Sequence, residues 1–212
     1  MFRGLDLQTL LISFACLLPA IVLHELAHGY MALALGDDTA KRQGRLTLNP
    51  LAHLNLTGFL SLLIFRFGWA NPVPVNFNRL RHGRWGIILV SLAGIGANLI
   101  AALFSAGLFV WNQLYNQTAS HEIFNTLLST FLIYNVSLAV FNLMPFPPLD
   151  GSKVILSLLP YPLQFKFYKY EQYFYFILIA LIFTNVVSGI IGPIIDKILY
   201  GMLDLFLLVL SR

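Results

Sequence analysis

Residues 7–35 read LQTLLISFACLLPAIVLHELAHGYMALAL, and this stretch decides the fold class. Leu7 to Leu23 contains no Lys, Arg, Asp or Glu, and a helix needs about 20 mostly apolar residues to cross a bilayer. The helix is expected to run on to Leu35 and stop at Gly36, with Pro19 bending it. Inside it lies the pentad HELAH, His24 to His28. Positions four apart share a helix face. His24 and His28 can therefore hold one Zn²⁺, while Glu25, one position along, reaches a bound water. Ionisable groups within an apolar span are costly and usually mark function. The bland alternative is a polar helix face hydrogen-bonded to its neighbours.

Composition widens the reading from one helix to the whole chain. The 212 residues are 58% hydrophobic and only 10% charged, far from the soluble balance. Several spans carry that apolarity, so the chain reads as an all-α polytopic membrane protein. Its length suits a single membrane domain over residues 1–212, with a core at about 5–160 and a C-terminal helical pair at about 173–210. A loop expected from about Met144 to Gln172 is too short for a separate peptide-binding domain. The net charge of +4 is membrane-side Lys and Arg, not a nucleic-acid surface, since no basic cluster alternates with exposed aromatics. Cys16, the one cysteine, cannot form an internal disulfide and reads as a packed thiol. The first apolar stretch carries the histidine pair, so it is expected to stay in the mature protein as no cleaved signal.

Six apolar segments follow one another: Leu5–Leu35, Leu51–Phe67, Trp85–Val110, Phe124–Leu143, Tyr173–Ile191 and Ile194–Leu210. Five are long enough to cross. Leu51–Phe67 is short for a span, carries His53 and Asn55, and contains Gly58. The loop GWANPVPVNFN, Gly68–Asn78, has a Pro-Val-Pro centre that suits an extended edge segment better than a helix.

Charge bias decides how the short segment behaves. If it enters the membrane and returns, Lys41, Arg42, Arg45, Arg66, Arg79, Arg81, Arg84, Lys153, Lys166, Lys169 and Arg212 share one side, against Arg3 and Lys197 on the other. If it crosses, the bias vanishes. The positive-inside rule selects five transmembrane helices plus one re-entrant segment with short extended loop elements, and a cytoplasmic basic face. The membrane is then expected to be a prokaryotic plasma membrane, with the histidine pair toward its cytoplasmic side.

The same topology brings a third ligand to the pair. The fourth crossing ends on the side where the first helix ends, and its last turn meets FNLMPFPPLDG, Phe141–Gly151. Pro145, Pro147 and Pro148 end the helix and hold the chain extended, so that Asp150 is presented at a turn completed by Gly151. Two imidazoles and a carboxylate leave a fourth position for water, as in catalytic zinc sites. His53 is the rival ligand, or a source of supporting hydrogen bonds. His82 sits in a basic, headgroup-facing loop, and His121 and Glu122 fall on the far side.

Two asparagines extend the polar inventory. Ser91, Gly94, Asn98, Ala101 and Ser105 form one small face of the third segment, suited to close helix approach. Asn98 needs a polar partner there. Asn142, just before the proline-rich break, could hold a substrate backbone or steady an oxyanion, or it could simply cap and pack its helix.

HELAH at His24–His28, GRLTLNP at Gly44–Pro50 with His53 following, LAGIGAN at Leu92–Asn98 and NLMPFPPLDG at Asn142–Gly151 together resemble the site-2 protease family of intramembrane zinc metalloproteases. The motifs come in the family's order and cover roughly the first 160 residues. The resemblance implies zinc, one per chain, on His24, His28 and Asp150, Glu25 as catalytic base, and a substrate-holding Asn142; Asn98 is a weaker substrate-binding candidate on its own account. It implies cleavage of transmembrane helices in membrane-anchored proteins, in the compact form that lacks a PDZ domain. Asn55, Ile95 and Ser152 depart from the family's usual Asp, Pro and second Gly.

The chemistry then expected is hydrolysis without a covalent intermediate, on a substrate already unwound. Pro72, Val73, Pro74 and Val75 form the edge that could pair with it by strand addition. A zinc transporter would not need Glu25 between the histidines, and a non-catalytic scaffold would be expected to have lost a ligand or the base.

Overall fold

The computed structural model describes residues 7–65, 68–115 and 121–211. Among these the chain is all-helical, and its one β feature is an isolated antiparallel bridge between Leu54 and Ala70. The helices are α1 (Leu7–Ala34), α2 (Thr39–Arg42), α3 (Leu56–Phe65), α4 (Arg84–Tyr115), α5 (His121–Leu143), α6 (Asp150–Leu158), α7 (Tyr161–Phe183) and α8 (Val186–Leu210). Three of them, α1, α4 and α5, are long and apolar enough to cross a membrane. The helices α7 and α8, bent by 73° at their junction, pass the same test only as a pair, the geometry of a broken span or a re-entrant loop. This is a membrane protein. Helix α3 has 10 residues, about 15 Å at 1.5 Å per residue, against a hydrocarbon core of about 30 Å.

Helix α1 stops where its sequence says it should. Gly36 takes φ +102°, which only glycine adopts without strain. The Asp37 N–H then reaches the Ala32 carbonyl and the Gly36 N–H reaches that of Leu33, satisfying the last turn. Pro19 lies inside α1 without ending it.

Two sequence expectations are corrected. The stretch from Met144 to Gln172 is no loop. Residues 150–158 form α6, and α7 begins at Tyr161. The prolines that read as loop are helix boundaries: Pro160 holds Leu159 extended at ψ 157°, and Pro162 sits in the first turn of α7, where its missing N–H costs nothing. The break between the last two helices falls at Asn185, in the left-handed region at φ 59°, and not at Gly192–Pro193. Pro193 is absorbed within α8, because one lost backbone bond is tolerated where neighbouring helices support the turn.

The chain packs as two compact units. The first comprises Met1–Ala20, Asn98–Phe141 and Ile179–Arg212. Its core is Ala102, Ala106, Leu132, Val136 and Val140, covered by Ile191, Ile195, Ile198, Met202 and Phe206 of α8. Polar side chains join α4 to α5 at regular intervals. Asn98 donates to Asn135 at 2.8 Å, Ser105 to the Leu128 carbonyl at 2.8 Å, and Asn112 to Asn125 at 2.7 Å. Residues 98, 105 and 112 are seven apart, so they lie on one stripe of α4 facing an antiparallel neighbour. Buried Cys16 directs its thiol at the Leu127 carbonyl, as expected of a packed cysteine.

The second unit comprises Ile21–Ala97 and Asn142–Leu178. Its core is built on Ala32, Leu80 and Val90, with Met31, Leu35, Val75 and Ile87 against them. The histidine pair and Asp150 both belong to it.

Candidate metal centre

The helical period puts His24 and His28 on one face of α1, and α6 brings Asp150 to meet them. All three are buried. The Nε2 atoms of the two histidines are 2.9 Å apart, and Asp150 Oδ2 lies 3.0 Å from each. Among the described residues this is the one such group of three metal-binding side chains. Its donor atoms form a nearly equilateral triangle. Tetrahedral ligands about 2.0 Å from a zinc ion stand about 3.3 Å apart, so the set fits zinc with little adjustment.

Supporting contacts orient the donors. His28 Nδ1 lies 2.7 Å from the Val90 carbonyl, which can only accept, so Nδ1 carries the proton and Nε2 keeps its lone pair. Asp150 opens α6 after an extended Leu149, and an acid in a first turn suits the helix dipole. The next residue packs tightly: a Cβ on Gly151 would collide with the Leu143 carbonyl. On the facing helix, a Cβ on Gly94 would stand 2.6 Å from both His24 Cε1 and His28 Nε2. Gly94 therefore makes room for the imidazoles. Sequence reading treated it as a packing residue only.

Glu25, half-buried, projects to a different partner. Its Oε2 accepts from the Val73 amide at 2.7 Å. Pro72 and Pro74 have no N–H, so Val73 is the one backbone donor of the Pro-Val-Pro triplet. This segment is irregular and not a regular strand. It is strapped down at several points. The Asn71 N–H donates to the His53 carbonyl at 2.7 Å, Arg45 Nη2 donates to the Asn71 carbonyl at 2.7 Å, and the Asn76 N–H donates to Asp37 at 2.6 Å. Burial alone would raise the Asp37 pKa. The Thr39 hydroxyl and the Asn76 and Thr39 amides outweigh it and hold the carboxyl below its ordinary value.

The remaining candidates separate clearly. His53 is buried with Nε2 at 2.9 Å from the Thr47 carbonyl, outside the donor triangle. His82 lies exposed in the turn before α4, and the His121 side chain is outside the described residues. Asn98 is fully buried, donating to the Ala20 carbonyl as well as to Asn135, which is the partner its position demanded. Asn142 is half-buried in the last turn of α5. Sequence reading missed Lys153, whose Nζ donates to Asp150 Oδ1 at 2.8 Å. The signal was the i,i+3 spacing, legible once residues 150–158 are a helix. A cleft of about 760 Å³ lies between residues 74–78, Lys153 and Leu156 of α6, and Phe167, Tyr168 and Glu171 of α7.

Comparison with known proteins places the chain among sequence relatives. The model for peptidase family M50 matches residues 106–185. The chain is 38% identical over 201 residues to a Bacillus subtilis protein named "Putative zinc metalloprotease YwhC", covering 93% of this chain and 89% of that one. It is 30% identical over 175 residues to "Putative zinc metalloprotease Rip2" of Mycolicibacterium smegmatis, covering 79% and 64% of the two chains. No solved structure matches the chain.

Proposed function

This chain belongs to peptidase family M50, and on that premise we propose that it is an intramembrane zinc metalloendopeptidase that hydrolyses transmembrane segments of membrane-anchored proteins. The observation that carries the reading is the triangle of His24, His28 and Asp150 with Glu25 on the adjoining position of the same helix. His24 Nε2, His28 Nε2 and Asp150 Oδ2 would hold one zinc per chain. Bound there, zinc lowers the pKa of a water and polarises a carbonyl. Glu25 takes the proton of the attacking water on a carboxylate oxygen and returns it to the leaving amine. Asn142 supplies a carboxamide for the substrate backbone.

A substrate must be unwound to expose its carbonyl, and Pro72–Val75 offers backbone beside Glu25 to hold it. Val73 already spends its N–H on Glu25, so strand addition would use the Val75 amide and carbonyl, which take no part in the bonds that strap the segment. Taken as separate crossings, α7 and α8 make five with α3 re-entrant; the shortness of α3 and the basic bias of one face support this topology, and with it a centre toward the cytoplasm. Partners are then the lipid bilayer and membrane-anchored substrates.

The test compares purified wild type with Glu25→Gln on a model transmembrane peptide. Cleavage should disappear while zinc stays near one per chain. Retained activity, or loss of zinc, would remove Glu25 from its role as base.

A further inference from the structure

We propose that Lys153 is a positioning residue of the metal centre, holding Asp150 as a ligand through one oxygen. The inference rests on the reading of His24, His28 and Asp150 as the zinc site. The two oxygens of Asp150 are divided between two jobs. Oδ2 lies 3.0 Å from both imidazole nitrogens, and Oδ1 lies 2.8 Å from Lys153 Nζ. Asp150 and Lys153 stand three apart on α6 and therefore share a face. The helix that delivers the ligand thus also fixes its rotamer.

The pairing is not explained by stability of the surface. The Asp150 side chain is only 7% exposed, so its second oxygen would lack a partner without the ammonium. An ammonium this close to a site for a dication is electrostatically unfavourable toward the ion itself. Its benefit is to the carboxylate. Free to rotate, Asp150 could present both oxygens to one ion or turn away from the imidazoles. Anchored at Oδ1, it keeps Oδ2 on the triangle before any ion arrives. Lys153 also lines the wall of the neighbouring cleft, so it touches both the ligand and the space beside it.

Zinc retention tests this without reference to catalysis. The purified, zinc-loaded full chain is mixed with a chromophoric chelator, and release is timed for wild type, Lys153→Met, Lys153→Arg and Asp150→Ala. Loss of a group that orients a ligand typically costs about 10–100-fold in metal affinity. Lys153→Met should release zinc at least about 10-fold faster, and Lys153→Arg, which keeps charge and donors, should restore most of the difference. With Co²⁺ in place of zinc, Lys153→Met should also weaken the visible absorption as a second carboxylate oxygen enters the coordination sphere. Wild-type release from Lys153→Met, or an Arg variant as leaky as the Met variant, overturns the proposal. If Asp150→Ala keeps its zinc, the metal-site reading itself fails. If Asp150→Ala is depleted while Lys153→Met behaves as wild type, only the role of Lys153 falls.

Discussion

Glu25 accepts a hydrogen bond from the backbone amide of Val73 at 2.7 Å, across 48 residues of sequence. The contact ties the helix that bears both imidazoles to an irregular segment held by Asp37, Arg45 and the His53 carbonyl. The carboxylate beside the two imidazoles is thereby oriented by the one backbone donor of the Pro-Val-Pro triplet. Position and partner of Glu25 are set together.

The ligand assignment separates Asp150 from His53. Asp150→Ala should lose zinc and peptidase activity together. His53→Ala should keep most of its zinc while melting at a lower temperature, because His53 joins the Thr47 carbonyl to the strap instead of facing the triangle. Metal analysis with the opposite ranking would transfer the ligand role to His53.

Gly94 and Gly96 make a paired test two residues apart on α4. A Cβ at Gly94 meets His24 and His28 at 2.6 Å, whereas a Cβ at Gly96 meets nothing within 4 Å. Overpacking of this kind costs about 1–3 kcal/mol. Gly94→Ala should therefore purify with much less zinc than wild type. Gly96→Ala should keep its metal, and at about 0.5–1 kcal/mol in favour of Ala within a helix it should be no less stable. Equal zinc in the two variants would mean that the imidazoles do not depend on the space at Gly94.

Asp37 should make the strap acid-sensitive. Its folded pKa lies below the ordinary carboxylate value, so its contribution is fully present above that value and is lost as pH falls through the folded pKa. Asp37→Asn should destabilise the protein at pH 7 by about 1–3 kcal/mol, the worth of hydrogen bonds to a charged group. The gap to wild type should narrow below about pH 4, where the ordinary carboxyl group also protonates. Melting curves that stay equally far apart at neutral and acid pH would show that the Asp37 charge is not what holds Asn76 and Thr39.

Topology is open to cysteine labelling in a Cys16→Ala background. Probes at Asp38, Arg81 and Lys169 should react from the cytoplasmic side. A probe at position 116, which lies outside the described residues, should react from the other side. The distribution of eleven Lys and Arg against two motivates the assignment. Labelling of position 81 only from outside would mean that α3 and its flanks cross. Helix α5 would then run the wrong way for Asp150 to meet His24 and His28, and the ligand set would fail.

Much of the candidate metal centre was legible before any folding. His24, Glu25 and His28 fall on adjoining positions of a helix whose 3.6-residue period is a local property, and Gly36 ends that helix because its backbone angle is one that side chains resist. Asp150 was legible as the carboxylate that the Pro145–Pro148 break presents, and it does lie beside both imidazoles. Asn98 announced a partner by being a carboxamide on an apolar face, though its sequence could not name Asn135.

What tertiary structure decided was pairing. Prolines around residues 144–162 read as a loop, yet they mark helix ends, and only as helix α6 does that stretch bring Lys153 under Asp150. Gly192–Pro193 read as a break, yet the chain turns at Asn185, because packing of α8 on the core around Ala102 and Val136 outweighs one missing backbone bond. Local sequence determines which residues can be helical and which faces they share. Which distant amide reaches Glu25, which carbonyl fixes the His28 tautomer and how close Gly94 stands to the imidazoles depend on contacts between segments far apart in the chain, and no local propensity encodes those.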